Sequence, residues 1–130
     1  MIRVLVADDS AEQRWTLRLA LSMMGFEVSE VGDGRELFWA LEARTHGRGE
    51  VPDLVIADHY MPTYNGLDVL GAWCEGEHRQ GLIVITAFPD EVLARRVSAL
   101  GATLLPKPFS LAALATAVRD ALTRSRSAPC

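Results

Sequence analysis

Cysteine is scarce in this 130-residue chain: Cys74 and Cys130 are the two present. They have no CxxC or metal-ligand spacing, so neither a disulfide framework nor a zinc site is indicated. A basic excess is missing too. Thirteen Lys and Arg against seventeen Asp and Glu leave a formal net charge of −4, the wrong sign for a non-specific nucleic-acid binder, which carries a basic stripe. No apolar run approaches the ~18 residues of a membrane span; Leu82 to Phe88 is among the longest. The N-terminal apolar stretch reaches Ala7 before two aspartates interrupt it, which is not the pattern of a signal peptide. Internal repeats and low-complexity tracts are absent. A cytoplasmic, single-domain protein with no direct nucleic-acid or membrane binding is expected. What is present, 49% apolar and 23% charged residues, suffices for one hydrophobic core without staples.

The apolar residues fall into a repeating order. Ile2 to Ala7 is a short β-branched run that reads as a buried strand. Asp8-Asp9-Ser10 ends it, with Ser10 as N-cap of a helix carrying Leu17, Leu21 and Met24 on one face and stopping at Gly25. Phe26 to Val31 alternates as a second strand, up to the turn signal Gly32-Asp33-Gly34. A second helix carries Leu37 and Leu41, and a polar loop follows from His46 to Pro52. Asp53 to Ala57 is a third strand ending on Asp58, and a helix follows from about Gly66 to Glu75. Leu82 to Ile85 is a fourth strand ending on Thr86, followed by a helix from Pro89-Asp90 to Leu100. Thr103 to Leu105 is a short fifth strand leading to Lys107. Ser110 caps a last helix through Leu122, with Leu111, Leu114, Val118 and Leu122 as its stripe. Residues 123–130 have the composition of a polar tail or the start of a linker. Such alternation predicts an α/β fold: a doubly wound parallel sheet with helices on both faces and right-handed crossovers.

In such a sheet, ligands bind at the carboxyl ends of the strands. Asp8-Asp9, Asp58, Thr86 and Lys107 all stand at those ends and would converge on one rim. An aspartate at a strand-to-helix junction is by itself ordinary capping chemistry. Four of five strands ending on complementary groups is a different matter. Three clustered carboxylates repel unless a hard cation neutralises them, and Mg²⁺, with oxygen ligands and retained waters, suits them. With the Thr86 hydroxyl and the Lys107 ammonium, the set is the recurring electrostatic kit of phosphoryl transfer.

VLVADDS (4–10), DLVIADHYMPTYNGLDVL (53–70), VITAF (84–88) and LPKPF (105–109) resemble, in order, the motifs of the CheY-like receiver domain of two-component response regulators. The resemblance covers Ile2 to about Leu122, so 1–122 is expected to be the domain. It implies a five-stranded, flavodoxin-like sheet of order 2-1-3-4-5. It also implies that Asp58 is the phosphorylated nucleophile, that Asp9 binds Mg²⁺ directly, and that Asp8 binds through water or assists. Tyr60 would lend its main-chain carbonyl to the metal, and Thr86 and Lys107 would take the phosphoryl oxygens. The Lys107-Pro108 peptide is commonly cis in the family, a state X-Pro bonds can reach. A carboxylate attacking phosphorus must be ionised, which a neighbouring Mg²⁺ and Lys107 favour.

Two departures stand out. The family usually carries Tyr or Phe three residues before the lysine, as a ring that moves inward when the threonine shifts toward the phosphoryl group. Leu104 occupies that place, and the segment from Gly101 to Lys107 is shorter than usual. Phosphorylation is thus better supported than the usual aromatic switch; coupling through Thr86, Phe88 and the helix near Asp90 is one expectation, and Leu104 as packing alone the other. Asn65-Gly66 replaces the more frequent Asp-Gly and supports the same turn. His59 is expected to be an exposed loop residue, since side chains alternate in an extended segment; His46 and His78 carry no ligand pattern. Trp15, Trp39 and Trp73 sit in predicted helices, and rings lying over neighbouring aliphatic stems are expected, with a partner surface as the alternative.

The function expected is a phosphoacceptor receiver, phosphorylated on Asp58 by a histidine kinase or histidine phosphotransfer protein. Phosphorylation would change a surface read by a downstream protein or output domain, and a homodimer through the last helix, the fifth strand and the helix before it is possible in the family. It would be a signalling module with self-directed phosphotransfer and autodephosphorylation, not an enzyme acting on a separate substrate. The alternative is a pseudo-receiver, a phosphorylation-independent interaction scaffold; the complete Asp8, Asp9, Asp58, Thr86 and Lys107 set counts against it. A flavodoxin-like redox protein fails on charge, because Asp8-Asp9 would repel the FMN phosphate. A related acid-based phosphatase would want an aspartate where Tyr60 stands. No separate output segment is expected in this chain.

Overall fold

The computed structural model describes residues 1–74 and 80–127. Strands and helices alternate: β1 (Arg3–Ala7), α1 (Ala11–Met23), β2 (Glu27–Val31), α2 (Gly34–Thr45), β3 (Leu54–Asp58), α3 (Gly66–Cys74), β4 (Gly81–Thr86), α4 (Glu91–Ala99), β5 (Thr103–Pro106) and α5 (Leu111–Ser127). All pairings are parallel and the order is β2-β1-β3-β4-β5. This is the doubly wound, flavodoxin-like α/β fold expected from the alternation and the resemblance. Because β1 leads to β2 on one side and its neighbour β3 leads to β4 on the other, the connections leaving β1 and β3 run in opposite directions, and a crevice opens between their carboxyl ends.

The period of two in the strands divides the core. Val4, Val6, Leu54, Ile56, Ile83 and Ile85 point to the α1/α5 side, where they pack with Leu17, Leu21, Leu114 and Val118. Leu5, Ala7, Val55, Ala57, Leu82 and Val84 point to the other side, onto Leu37, Leu41, Leu70, Leu93 and Val97 of α2, α3 and α4. Strands buried on both faces must be apolar throughout, which is why β1, β3 and β4 read as continuous runs rather than alternating ones.

The helix starts are set by side chains that take otherwise orphaned amide protons. Ser10 Oγ accepts from Gln13 N at 3.2 Å, Asp33 Oδ1 from Glu36 N at 2.7 Å, Asp90 Oδ1 from Leu93 N at 2.7 Å and Ser110 Oγ from Ala113 N at 3.0 Å. Gly25 and Gly101, with φ of 88° and 78°, follow α1 and α4 in the left-handed region where a side chain is disfavoured.

Several boundaries differ from the sequence reading. β2 begins at Glu27 rather than Phe26, β3 includes Asp58, β4 runs Gly81–Thr86, and β5 extends to Pro106. The larger difference is at α5, which continues to Ser127 through the start of the segment read as a tail. Thr123 Oγ1 donates to Arg119 O at 2.8 Å and Arg124 Nη1 to Ala102 O at 3.0 Å, so polar residues there extend the helix and tie it to the start of β5. The predicted end of α3 at Glu75, His78 and Cys130 lie outside the described residues. Trp73 is buried, with Nε1 donating to Thr45 Oγ1 at 3.0 Å across α3 and α2. Trp15 and Trp39 are 64% and 59% exposed; Trp39 meets Phe38 edge-on at 5.6 Å.

Residues two apart on α2 should therefore differ sharply. Leu37→Ala, which empties a fully buried site, is expected to cost ~2–5 kcal/mol in urea unfolding. Trp39→Ala, on the solvent side, is expected to cost less than about 1 kcal/mol. Equal losses would contradict this assignment of the helix faces.

Candidate functional site

The carboxyl ends of β1 and β3 lie side by side, Ala7 opposite Ala57 in the ladder. That register puts Asp8 and Asp9, just past β1, against Asp58 at the end of β3. One carboxylate oxygen from each of Asp8, Asp9 and Asp58 falls within a group spanning no more than 4.8 Å. Asp8 and Asp58 are buried, at 1% and 5% exposure, and Asp9 is exposed.

Lys107 reaches this group from beyond β5. Its main-chain N–H donates to Thr86 O at 2.7 Å, which holds it beside the end of β4. Its Nζ donates to Asp58 Oδ2 at 2.8 Å and lies 3.5 Å from Asp8 Oδ2. The peptide bond from Lys107 to Pro108 is cis. Thr86, at the last position of β4, is fully buried, and its Oγ1 accepts the N–H of Phe88 at 3.1 Å. Asp8, Asp9, Asp58, Thr86 and Lys107 thus stand on one rim.

The loops fix each carboxylate locally. Asp8 Oδ1 accepts from Ser10 N at 2.9 Å and Asp58 Oδ1 from Tyr60 N at 3.1 Å, both short Asx-type contacts that aim the side chain along its own loop. The β3–α3 loop is pulled tight beneath Asp58. His59 N donates to Ile85 O at 2.8 Å, and Gly66 N donates to His59 O at 3.0 Å. A Cβ on Gly66 would stand 2.4 Å from Asp58 O, so the turn requires glycine for close approach.

Burial pushes the Asp8 carboxyl up from the usual carboxylate value. The Ser10 N–H pulls against this, the Asp58 charge adds to it, Lys107 opposes it and Asp9 adds again; the net direction is upward. Burial would lower the Lys107 ammonium, but its hydrogen bond to Asp58 and the charges of Asp58 and Asp8 outweigh that and hold it above the ordinary lysine value. Three negative charges thus face one positive charge, and Asp8 Oδ2 is a buried oxygen with no hydrogen-bond partner. An oxygen-only donor set with excess negative charge and an unsatisfied buried oxygen fits a hard divalent cation such as Mg²⁺.

His59 departs from expectation. It is not an exposed loop residue but is buried at 6% exposure. Its ring meets Tyr60 edge-on at 4.7 Å, Nδ1 has no hydrogen-bond partner, and burial lowers the basicity of the imidazole. Leu104 lies opposite Val84 in the ladder and is partly buried against the α2/α3/α4 side of the core. Two contributors were missed by sequence reasoning. Gly66 was flagged as a turn residue, but its contact with the Asp58 carbonyl is tertiary. Arg14, whose Nη1 donates to Asp8 O at 2.6 Å, has no spacing signal at all.

The family model of the response regulator receiver domain matches residues 4–119. The chain belongs to this family. It is 36% identical over 126 residues to the transcriptional regulatory protein PdtaR of Mycobacterium tuberculosis, covering 95% of this chain and 58% of that protein. It is 31% identical over 121 residues to a probable chemotaxis protein CheY of Rhizobium etli, covering 90% and 89% of the two. A receiver domain structure from Clostridium thermocellum superposes with a TM-score of 0.81 at 26% identity, covering 98% of each chain. The receiver domain spans 52–58% of the length of the first curated relatives it matches. Among the described residues, no helix is long and apolar enough to cross a membrane.

The electrostatics give a signed prediction for Asp8→Asn. A carboxyl raised in the folded state favours folding at low pH, and that contribution is lost as pH rises through its folded value. At neutral pH without added cation, ionised Asp8 therefore opposes folding. Asp8→Asn should raise stability at pH 7, and the gain should shrink as pH falls toward the ordinary carboxylate range near ~4. Urea unfolding at several pH values checks this; a loss of stability at pH 7 would contradict it.

Proposed function

We propose that this receiver domain is a phosphoacceptor of a two-component or phosphorelay system, phosphorylated on Asp58. The observation that carries the reading is Lys107 Nζ standing 2.8 Å from the buried Asp58 carboxylate, within a cluster of three acids and beside Thr86. Asp8, Asp9, Asp58 and the main-chain carbonyl of Tyr60 are the groups that would hold Mg²⁺. When bound, Mg²⁺ supplies the positive charge that lets carboxylates and phosphoryl oxygens share one small site.

The chain's own residues supply the rest. A carboxylate oxygen of Asp58 forms the new bond to phosphorus as the bond from phosphorus to the donor nitrogen breaks; with the phosphohistidine ring protonated on its other nitrogen, the products are an acyl phosphate and a neutral imidazole. Lys107, a point charge on a flexible stem, follows the phosphoryl group and partly offsets its ~ −1.5 to −2 charge. The Thr86 hydroxyl turns from its contact with Phe88 N to a phosphoryl oxygen. A groove of about 540 Å³ beside Lys107, lined by Gln13, Thr16, Ala87, Pro108 and Phe109, gives a donor protein room to approach.

The module is cytoplasmic, acts on no separate substrate, and catalyses its own phosphotransfer and slow hydrolysis. Its donors are a histidine kinase or a histidine phosphotransfer protein, and its output is a changed surface for a partner protein, an attached domain or a second copy.

Incubation with acetyl phosphate and Mg²⁺ should yield a phosphorylated species by intact mass, absent in Asp58→Asn and after chelation. Failure to form any Asp58-dependent species would leave the phosphorylation-independent scaffold as the better reading.

Loss of the Thr86 contact frees the amide of Phe88, a side chain 71% exposed and 6.0 Å edge-on from Tyr60. The change should therefore leave by the β4–α4 loop rather than by Leu104. In amide and methyl NMR spectra with and without beryllofluoride, the largest shifts are expected at residues 86–92 and small ones at the Leu104 methyls. A dominant response at Leu104, with the loop unchanged, would overturn that route.

A further inference from the structure

Arg14 lies on α1, one turn into the helix that follows the acidic loop, and takes no part in the chemistry above. An arginine on a surface helix ordinarily extends into water, and an ion pair made there is worth little. This one turns inward. Nη1 donates to the main-chain carbonyl of Asp8 at 2.6 Å, and Nε stands 3.3 Å from Glu30 Oε1. The Arg14 and Glu30 side chains are 22% and 26% exposed, so both are largely shielded. Glu30, on β2, is itself held by a second cation, its Oε2 accepting from Arg18 Nη1 at 2.8 Å. The guanidinium runs past Gly32, where a Cβ would approach Nη1 to 3.3 Å.

The carbonyl held by Arg14 is the oxygen of the Asp8–Asp9 peptide. A peptide unit is planar, so fixing its oxygen fixes the plane that joins the two residues. On the other side of Asp8, its N–H donates to Val31 O at 3.2 Å. Asp8 is therefore fastened through both main-chain polar groups to the α1–β2 flank. Without the clamp, two adjacent carboxylates that repel each other and Asp58 would lower their energy by turning the loop outward. A charge-assisted hydrogen bond in a shielded setting is strong enough to oppose this.

We propose that Arg14, fixed by Glu30, is a positioning residue for the cation-binding carboxylates, holding the Asp8–Asp9 peptide so that both side chains stay on the rim with Asp58. The inference rests on the Mg²⁺ reading of the site given above.

Its test turns on a sign. Removing a positive charge near a cation site strengthens cation binding if the charge acts only through space. Loss of positioning weakens it. Mg²⁺ affinity is measured by calorimetric titration on the full chain for wild type, Arg14→Met and Arg14→Lys, each shown to be folded by cooperative urea unfolding without Mg²⁺. Arg14→Met is expected to bind Mg²⁺ about tenfold more weakly, and Arg14→Lys, whose ammonium can still donate to the Asp8 carbonyl, to recover most of the loss. If Arg14→Met does not fold, Arg14→Gln removes the same charge and is read the same way. Unchanged or tighter binding in the folded neutral variant, with normal wild-type binding, overturns the inference alone. Absence of Mg²⁺ binding by the wild type overturns the proposed function and this inference together.

Discussion

The contact between Lys107 and the carboxylates of Asp58 and Asp8 is the constraint around which the rim is arranged. Two buried acids and a third exposed one crowd a small space, and a single ammonium brought in from beyond the edge strand β5 offsets part of their charge. A buried carboxylate without a partner is costly, so the fold must bring the lysine to it from 49 residues away in sequence. The β4–β5 pairing does this by placing Pro106 opposite Thr86, and the Lys107 amide then caps the Thr86 carbonyl. The residual imbalance, more negative charge than one lysine can meet, leaves an oxygen-only donor set of the kind that suits a hard divalent cation.

The rest of the rim follows from keeping main-chain groups satisfied while side chains are left free to react. Asp8 is fastened by its amide and carbonyl, His59 by both of its own, and Lys107 by its amide, so that the reacting groups are carried on a backbone with little freedom. The Thr86 hydroxyl bonds to the β4–α4 loop, through Phe88 N, rather than to the acid cluster. Its hydroxyl is thus the side-chain link between the rim and that loop.

Much of this was legible in the chain itself. Asp8-Asp9, Asp58, Thr86 and Lys107 end apolar runs, and strand ends in a parallel sheet necessarily meet on one edge, so local pattern implied the three-dimensional cluster. What escaped was decided by tertiary contact. His59 was read from alternation alone, which gives the side it faces but not whether protein or water lies there. Arg14 is indistinguishable in sequence from Arg18, its neighbour on the next turn, and the inward course of its side chain depends on Glu30 and the space left by Gly32. The continuation of α5 past Leu122 escaped because Thr123 and Arg124 look like linker residues until their bonds to Arg119 and Ala102 are seen.

The sheet also acts as a partition. Its two apolar clusters draw on disjoint sets of side chains, one shared with α1 and α5 and the other with α2, α3 and α4. Among the described residues the two clusters share no side chain, so repacking on one side need not displace the other. A scaffold divided in this way can have one outer surface rewritten over evolutionary time while the opposite one is left intact. The acid–lysine rim sits on the seam between the two faces, so neither face has to change for the other to be repacked.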